Sequence, residues 1–286
     1  MNWLVYHFVS GQSFFSGGLL MIAAVLLAKG KRPIARRVAV LSFLFGAMAV
    51  VLSSTPLPYW SYGVLVLVTV VWIISRFRRT ANRMISVSLV AVFVAAMAWE
   101  AAFHFLPAPA QQIADTPSLT IIGDSVTAGM GEKEAETWPK ILARTHHVEV
   151  QDLSHIGETS ASALKRIQDQ TLTSSLVLIE IGGNDLLGST SSAQFENDLD
   201  AMLKYLVKEN RRLLMFELPL PPFFHEYGRI QRTLAARYDV ALIPKRYFLD
   251  VLADDASTLD TIHLSQAGHQ QMAETVWRII EPMYQP

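Results

Sequence analysis

The chain of 286 residues contains no cysteine, which excludes disulfide bonds, thiolate metal sites and cysteine nucleophiles. Charged residues are also scarce: they make up 17% of the chain, against the ~25% usual for soluble proteins. Hydrophobic residues make up 51%. This balance excludes a disordered chain and argues against a protein that is soluble throughout.

Acidic residues are almost absent from the first part of the chain. Residues 1–107 hold nine Lys or Arg and a single acid, Glu100, which gives a net charge of +8. The remaining residues hold fifteen basic and twenty-four acidic side chains, a net charge of −9. Two parts of unlike composition are therefore joined, and the length agrees with about two domains of ~150 residues.

Four apolar runs occupy the first part, at approximately residues 4–28, 38–54, 59–75 and 85–106. Each approaches or exceeds the ~17–25 residues with which a helix crosses a bilayer. We therefore predict a four-helix transmembrane domain over residues 1–106, a linker over 107–117 and a soluble domain over 118–286. A cleavable signal peptide is the alternative for the first run. It requires a basic start, which residues 1–20 lack, so a retained span is predicted.

The basic residues predict how these spans are oriented. They cluster between runs one and two and between runs three and four, whereas the other ends carry none. Because positive charge stays cytoplasmic in short loops, both the N-terminus and the soluble domain are predicted to face the periplasm or exterior of a bacterial inner membrane. Membrane lipids are thus expected partners.

Three ionisable residues stand near the predicted outer ends of the first and last runs: His7, Glu100 and His104. Glu100 and His104 are four residues apart and share one helix face. An ionisable group in a membrane is a functional hypothesis by default. The alternative is that all three lie shallow enough to reach water or headgroups, and the sequence leaves both open.

From residue 118 onward, short apolar strands alternate with amphipathic helices. Residues 176–181 form an unbroken apolar run apart from Glu180, typical of a parallel strand covered on both faces. The alternation predicts an α/β fold with a parallel sheet between two helical layers. In such sheets ligands bind beyond the carboxyl ends of the strands.

Polar motifs follow these strands or precede the last helix. They are Gly123-Asp124-Ser125, Gly157 after the second strand, Gly182-Gly183-Asn184-Asp185 after the third, and Asp260-Thr261-Ile262-His263. Each alone has an ordinary structural interpretation as a turn, a cap or a surface histidine. The first is neither the Gly-x-Ser-x-Gly elbow nor a P-loop, because Thr127 stands at the fifth position and no Gly-Lys follows.

Together and in this order, the motifs of residues 117–284 resemble the SGNH, or GDSL, hydrolases, most of all their thioesterase and lysophospholipase branch. The resemblance implies an SGNH-type three-layer sandwich with Ser125 as nucleophile, His263 as general base and Asp260 orienting it. It also implies an oxyanion hole built from the Ser125 and Gly157 N–H groups and the Asn184 amide. One departure is Asp152, where the family usually has Asn.

The chemistry of such a triad is self-consistent. A serine hydroxyl is a weak nucleophile near neutral pH and needs a base, for which a histidine with its pKa near ~6.5 is suited. Neither a metal nor a cofactor is required, and none is expected; a nucleic-acid partner is not expected either. The predicted enzyme is a serine ester hydrolase of the esterase, lipase or lysophospholipase type.

Acyl esters are the expected substrates, either lipid-derived esters such as lysophospholipids or acetyl esters of envelope glycans. Candidate substrate-binding residues are Pro221, Phe223 and Phe224 after the fourth strand, together with Glu100 and His104. The alternative function is an O-acyltransferase of the cell envelope that uses the same triad. A receptor or scaffold with an inactive hydrolase domain is a third class, and the presence of all five expected residues argues against it.

Overall fold

The computed structural model describes residues 2–30, 32–78, 83–107, 117–130, 136–254, 256–260 and 262–284. The chain divides into two compact units. The helical unit comprises Leu4–His104 together with Leu220–His225. The α/β unit comprises Met1–Trp3, Phe105–Pro219 and Glu226–Pro286. The predicted linker, 107–117, falls almost entirely outside the described residues.

The helical unit is built from helices that are apolar along most of their length. They are α1 (Trp3–Val9), α2 (Gln12–Leu27), α3 (Pro33–Leu52), α4 (Tyr59–Phe77) and α5 (Arg83–Ala101), followed by a 3₁₀ turn at Ala102–His104. Three of them are long and apolar enough to cross a membrane, or four if α1 and α2 count as one span. Side chains such as Leu44, Phe45 and Leu67 are more than half exposed. Surfaces of this kind suit lipid rather than water.

The first apolar run, predicted as one retained span over 4–28, is bent. It breaks at Ser10–Gly11, and α1 and α2 meet at a bend of 84°. Gly11 has a positive φ of 85°, which glycine adopts without the steric cost that a side chain would bring. Hydropathy alone does not register such a break, because both sides of it are equally apolar.

Helix α2 packs closely on α3 where two glycines face each other. A Cβ atom on Gly46 would lie 2.9 Å from the Gly17 carbonyl oxygen, so the backbones meet without side chains between them. Small residues at helix crossings are typical of apolar bundles, in which van der Waals contact replaces the hydrophobic drive. The core of this unit is formed by Phe14, Met21, Val25, Leu57, Leu65, Trp72, Leu89 and Phe93.

The α/β unit contains one parallel sheet of five strands in the order β2-β1-β3-β4-β5. The strands are β1 (Ser118–Gly123), β2 (Glu149–Asp152), β3 (Leu176–Glu180), β4 (Arg212–Phe216) and β5 (Ala241–Ile243). The central strand β3 is buried at all five positions, which explains its apolar sequence. The order reverses between β1 and β3, where a doubly wound sheet forms its ligand crevice.

Helices cover both faces of this sheet. They are α6 (Ser125–Ala128), α7 (Trp138–His146), α8 (Ser160–Gln168), α9 (Gly183–Leu187), α10 (Ser192–Leu206), α11 (His225–Arg237), α12 (Lys245–Ala253) and α13 (Gln266–Tyr284). Helices α7, α12 and α13 share one core with the sheet, whereas α8 and α10 pack together on the other face. The predicted three-layer α/β fold is thereby confirmed.

The differences from the predicted elements are local. Helix α12 was not predicted, and α3 begins at Pro33 rather than at residue 38 because Arg36 and Arg37 lie in its polar first turns. The segment Leu220–His225, predicted to be part of the soluble domain, is grouped with the helical unit. Within that unit the Ser54 hydroxyl donates to the Leu220 carbonyl, and the rings of Tyr62 and His225 lie 6.0 Å apart.

Candidate active site

The polar motifs meet at the carboxyl edge of the parallel sheet. Ser125 follows β1, Gly157 follows β2, and Asn184 follows β3, while His263 lies just before α13. Parallel strands bring their carboxyl ends to the same edge, so residues more than a hundred positions apart become neighbours. This edge is where the sequence predicted the site.

A hydrogen-bonded chain links Ser125, His263 and Asp260. The Ser125 Oγ atom lies 3.2 Å from His263 Nε2, and His263 Nδ1 lies 2.8 Å from Asp260 Oδ2. A base within reach of a hydroxyl, itself oriented by a carboxylate, is the geometry that activates a serine. The structure thus brings together the three residues predicted as catalytic.

Asp260 is held by the backbone that follows it. Its Oδ1 atom accepts hydrogen bonds from the N–H groups of Ile262 and His263, at 2.7 and 2.8 Å. The hydrogen bonds from the His263 ring and from these two N–H groups lower the pKa of Asp260 far below its usual value. The group therefore stays a carboxylate across the working pH range, although its side chain is 56% exposed.

The turn that carries Ser125 is fixed by Asp124. The buried Asp124 side chain accepts a hydrogen bond from the Val126 N–H at 2.9 Å and so caps the short helix α6. Its other oxygen accepts from the Asn184 side-chain amide at 3.2 Å. One carboxyl group thus touches both the nucleophile turn and the loop after β3.

Glu180 lies under the same turn, at the end of β3. Its side chain is 5% exposed, and its Oε2 atom accepts hydrogen bonds from the Thr127 hydroxyl at 2.9 Å and from the Asp124 N–H at 3.3 Å. Glu180 is a site residue that the sequence interpretation missed. The signal that could have found it is a lone glutamate ending a wholly apolar strand directly before Gly182-Gly183-Asn184.

Asp124 and Glu180 form a buried pair of carboxyl groups. Burial raises the pKa of Asp124 to about 6. Burial and the negative charge of Asp124 raise the pKa of Glu180 well above its ordinary value. Two carboxylates in one dry site repel each other, so as pH rises Asp124 loses its proton before Glu180 does.

The residues implied as oxyanion donors lie around the same edge. Gly157 has a φ of +76° in an exposed turn, a conformation that favours glycine. The Asn184 amide donates to Asp124 Oδ2 and, at 3.0 Å, to the Glu158 carbonyl. Both of its hydrogens thus have protein acceptors, and an oxyanion would share or replace one of them.

Neighbouring polar contacts hold the two loops in place. Asp185 accepts hydrogen bonds from the N–H and hydroxyl of Ser160, which ties the loop after β3 to the start of α8. The buried Glu158 pairs with Arg166 at 2.6 Å. The exposed Asp152, the departure from the family pattern, accepts from the N–H and hydroxyl of Ser154 and shapes its own turn.

The five candidate substrate-binding residues all belong to the helical unit, whereas the triad belongs to the α/β unit. Glu100 is fully buried, and its Oε1 atom lies 3.9 Å from His104 Nε2. Phe223 and Phe224 are 70% and 41% exposed. In the described part of the chain, no group of three or more His, Asp or Glu side chains is placed to hold a metal ion.

Comparison with known proteins identifies the family of this site. Residues 121–271, more than half of the chain, match the GDSL-like Lipase/Acylhydrolase family. The chain belongs to this family. The match begins in β1, runs into α13 and includes every residue of the triad.

Relatives of known activity agree with this assignment. Esterase TesA of Pseudomonas aeruginosa is 28% identical over 186 residues, which cover 60% of this chain and 92% of TesA. Thioesterase 1/protease 1/lysophospholipase L1 of Escherichia coli is 28% identical over 65% of this chain and 93% of its own length. An arylesterase of Vibrio mimicus is 29% identical over 46% of this chain and 71% of its own.

Solved structures agree as well. The crystal structure of TesA superposes with a TM-score of 0.50 at 26% identity and covers 58% of this chain and 99% of TesA. The lipase/acylhydrolase of Enterococcus faecalis shares the fold, with a TM-score of 0.51, 21% identity, and coverage of 60% of this chain and 98% of its own. The GDSL member described here is an ester hydrolase with the SGNH fold.

Proposed function

We propose that the protein is a serine esterase in which Ser125 is the nucleophile, His263 the general base and Asp260 the residue that orients it. The observation that carries the proposal is the continuous chain of hydrogen bonds from Ser125 Oγ through the His263 ring to Asp260. Its order and spacing are those that the mechanism needs.

In this mechanism the Ser125 oxygen attacks the ester carbonyl carbon while His263 Nε2 takes the hydroxyl proton. The tetrahedral intermediate carries a negative oxygen, for which the N–H groups of Ser125 and Gly157 and the Asn184 amide are the proposed donors; one such donor is worth about 10²–10³ in rate. Collapse breaks the bond to the leaving alcohol or thiol, which receives the proton from His263. Water then releases the acid from the acyl-enzyme in the same two steps.

The direct test replaces Ser125 and compares it with a neighbouring serine. Ser125→Ala should lose about 10⁴-fold or more of its turnover of a p-nitrophenyl ester, because without its hydroxyl no acyl-enzyme forms. His263→Ala should behave alike, whereas Ser154→Ala, in the exposed turn after β2, should keep its activity. A fluorophosphonate should label the wild type and Ser154→Ala but not Ser125→Ala. Labelling or full turnover by Ser125→Ala would refute the serine mechanism.

We further propose that the substrates are lipid-derived esters or glycan acetyl esters on the outer face of a bacterial inner membrane, which the helical unit spans. The support is the apolar, outward-facing surface of α3, α4 and α5 and the position of the basic residues, which lie in or beside the α2–α3 and α4–α5 loops. A membrane-impermeant ester given to intact spheroplasts should be hydrolysed as fast as in lysed membranes. Activity that appears only after lysis would place the site inside.

Two exposed phenylalanines support an apolar acyl group. Phe223 adopts a φ of +73°, which is strained for a bulky residue, and presents a ring that is 70% exposed. We propose that Pro221, Phe223 and Phe224 contact an acyl chain. Phe223→Ser should then raise KM for a long-chain ester and leave KM for an acetyl ester unchanged. An equal change in KM for the long-chain and the acetyl ester would show that Phe223 does not contact the acyl chain.

Glu100 and His104 are proposed to support that substrate path within the helical unit. Glu100 is the lone acid of this unit's helices, it is fully buried, and it lies beside His104 rather than toward lipid. Glu100→Gln should slow hydrolysis of a membrane-resident lysophospholipid and leave a soluble short-chain ester unaffected. If neither substrate responds, the residue serves the packing of the helices alone.

The O-acyltransferase alternative uses the same acyl-enzyme and differs in what attacks it. A sugar or lipid hydroxyl would replace water, and a new ester would form in place of a free acid. Product analysis with and without an acceptor alcohol separates the two. Free acid at an unchanged rate in both samples identifies the hydrolase.

A further inference from the structure

A cavity lies in the helical unit, at the ends of the helices that are remote from Glu100. It has a volume of about 420 Å³, within the range usual for small-molecule sites, and is bounded by the C-terminal end of α2, the first turns of α3 and the last turns of α4. The lining residues are Ala28, Arg36, Ala39, Val40, Phe43, Trp72, Ile73, Arg76 and Phe77. We call this cavity the Trp72 pocket.

The walls of the Trp72 pocket are apolar and its two polar members are both arginines. Phe43 and Trp72 stack across it, with ring centroids 5.8 Å apart and planes inclined by 23°. The Arg76 guanidinium donates one of its N–H groups to the Ala28 carbonyl at 2.8 Å, which holds it beside the end of α2. A smaller cavity shares Ala28, Trp72 and Arg76 and adds Lys29 and Arg83.

Four cations therefore surround Trp72, and the sequence of this part of the chain offers them no carboxylate. Glu100 is the single acid among residues 1–107. It stands seventeen residues after Arg83 on the same helix, α5, which corresponds to about 25 Å along the axis. The first 107 residues therefore offer no carboxylate near this end of the helices.

The combination of an apolar cleft with arginines selects the chemistry of the ligand. Guanidinium groups bind phosphate oxygens in a bidentate manner, better than any other side chain. A water-soluble anion would pair with the arginines but leave the apolar cleft between α3 and α4 unfilled. An uncharged lipid would fill the cleft but leave the arginines without a counter-charge. An anionic amphiphile would fill the cleft and pair with the arginines.

We propose that the Trp72 pocket binds an anionic phospholipid, with the acidic headgroup between Arg36 and Arg76 and an acyl chain along Ala39, Val40 and Phe43. The bound lipid would then contact both α3 and α4. This inference requires the helical unit to lie in a bilayer, and it does not depend on the proposed catalytic residues.

The test measures lipid retention by the full-length protein purified in detergent. Native mass spectrometry should show bound phosphatidylglycerol in preference to phosphatidylcholine with the same acyl chains. The double variant Arg36→Gln/Arg76→Gln should lose that preference by about tenfold, a fold-change worth ~1.4 kcal/mol. The matched control, Arg37→Gln/Arg78→Gln, removes the same charge from neighbouring exposed positions outside the pocket and should retain it.

A second variant fills the cleft and leaves the arginines in place. Val40→Trp should lower the amount of bound phosphatidylglycerol because the acyl chain has lost its room. Turnover of a soluble p-nitrophenyl ester and the far-UV spectrum verify that each variant is folded. The proposal is overturned if both lipids are retained equally by the wild type, if the two double variants lose binding equally, or if Val40→Trp binds as the wild type does.

Discussion

Glu180 and Asp124 together support the turn that carries Ser125 and, through Asn184, the loop after β3. In its protonated form Glu180 can donate to the Asp124 carboxylate, while its Oε2 atom accepts from the Thr127 hydroxyl and the Asp124 N–H. The amide of a glutamine has the same donor and acceptor pattern and no charge to lose. At position 180 a carboxyl group and an amide should therefore support the Ser125 turn about equally well, whereas a methyl group should not support it.

We predict that Glu180→Gln keeps its kcat within about threefold, whereas Glu180→Ala loses about 10–100-fold. The alanine leaves the buried Thr127 hydroxyl and the Asp124 N–H without an acceptor, and a small displacement of a reacting group is enough for such a loss. Steady-state kinetics with a p-nitrophenyl ester measure both. Equal losses in the two variants would show that the carboxyl group itself, and not its hydrogen-bond pattern, is needed.

The raised pKa of Glu180 also predicts how stability depends on pH. In the unfolded chain the group ionises near its ordinary value, whereas the folded protein keeps it protonated until a higher pH. The folded state thus binds the extra proton, and the wild type loses up to ~1.4 kcal/mol per pH unit between those two pKa values. Glu180→Gln should become more stable relative to the wild type as pH rises above about 4.5, the ordinary value of a glutamate, as measured by denaturant unfolding. A constant difference would contradict the assignment of the proton.

At the scale of single elements, α11 carries two ion pairs of different burial. Arg232 pairs with Glu217 at 2.7 Å, with side chains 8% and 2% exposed, just beyond the end of β4. Burial alone would raise the pKa of Glu217, but the charges of Arg232 and Lys245 lower it below its ordinary value. Arg237 pairs with Asp200 at 2.6 Å, with Arg237 53% exposed.

We predict that Arg232→Ala destabilises the α/β unit by about 3 kcal/mol, because it leaves a buried carboxylate with only Lys245 as a compensating charge. Arg237→Ala, on the same helix, should cost at most about 1 kcal/mol. Denaturant unfolding at pH 7 measures both. Since the pKa of Glu217 is depressed, the ion pair's contribution is present at neutral pH and is lost as pH falls through that pKa, so the two variants should converge in acid. Equal costs at pH 7 would refute the argument.

The crossing of α2 and α3 gives a second prediction at this scale. Gly46→Ala should destabilise the helical unit, because the new Cβ would lie 2.9 Å from the Gly17 carbonyl oxygen and 3.0 Å from Met21 N. These are backbone atoms, which cannot relieve the clash by a change of rotamer. Gly63→Ala on α4 is the matched control, since its Cβ meets nothing within 4 Å. There alanine should stabilise by about 0.5–1 kcal/mol. Thermal unfolding in detergent should shift in opposite directions for the two variants.

At the scale of the whole molecule, the basic residues set the predicted topology. Lys and Arg lie in the loops between α2 and α3 and between α4 and α5 or in the helix turns beside those loops, and the other loops of the first 107 residues carry none. A reporter enzyme that matures only outside the cytoplasm, fused to the C-terminus, should be active, and a reporter that fluoresces only in the cytoplasm should be dark. The reverse result would place the hydrolase inside the cell.

The effect of the Lys and Arg distribution on topology can also be tested by moving positive charge from one side of the membrane to the other. Introducing two lysines into the uncharged loop between α3 and α4 while neutralising Arg36 and Arg37 should yield a mixed population of orientations, because the charge difference across the membrane is reduced. Protease accessibility of the α/β unit in intact spheroplasts measures the two populations. A single unchanged orientation would mean that another feature of the chain sets the topology.

Much of this architecture is determined by local sequence. Hydrophobic runs longer than a bilayer's thickness need no tertiary context to predict helices α3, α4 and α5, and alternating short strands and helices predict the parallel sheet. Ser125, Asn184 and His263 were singled out because each stands at a strand end or before a helix, where a parallel sheet collects its functional groups, and the resemblance to the SGNH hydrolases implied their roles. These features depend on the hydrophobic period, on the length of each apolar run and on the order of the elements, all of which are present in the sequence itself.

Only the tertiary structure decided the rest, because it depends on which distant groups meet. The break between α1 and α2, the grouping of Leu220–His225 with the helical unit, and the Trp72 pocket leave no periodic trace in the sequence. The raised pKa of Glu180 follows from its own burial and from the charge of a second carboxyl group, Asp124, fifty-six positions away in the chain. Burial and proximity are properties of the packed molecule, and they set the charge state of a residue that the sequence shows only as a glutamate.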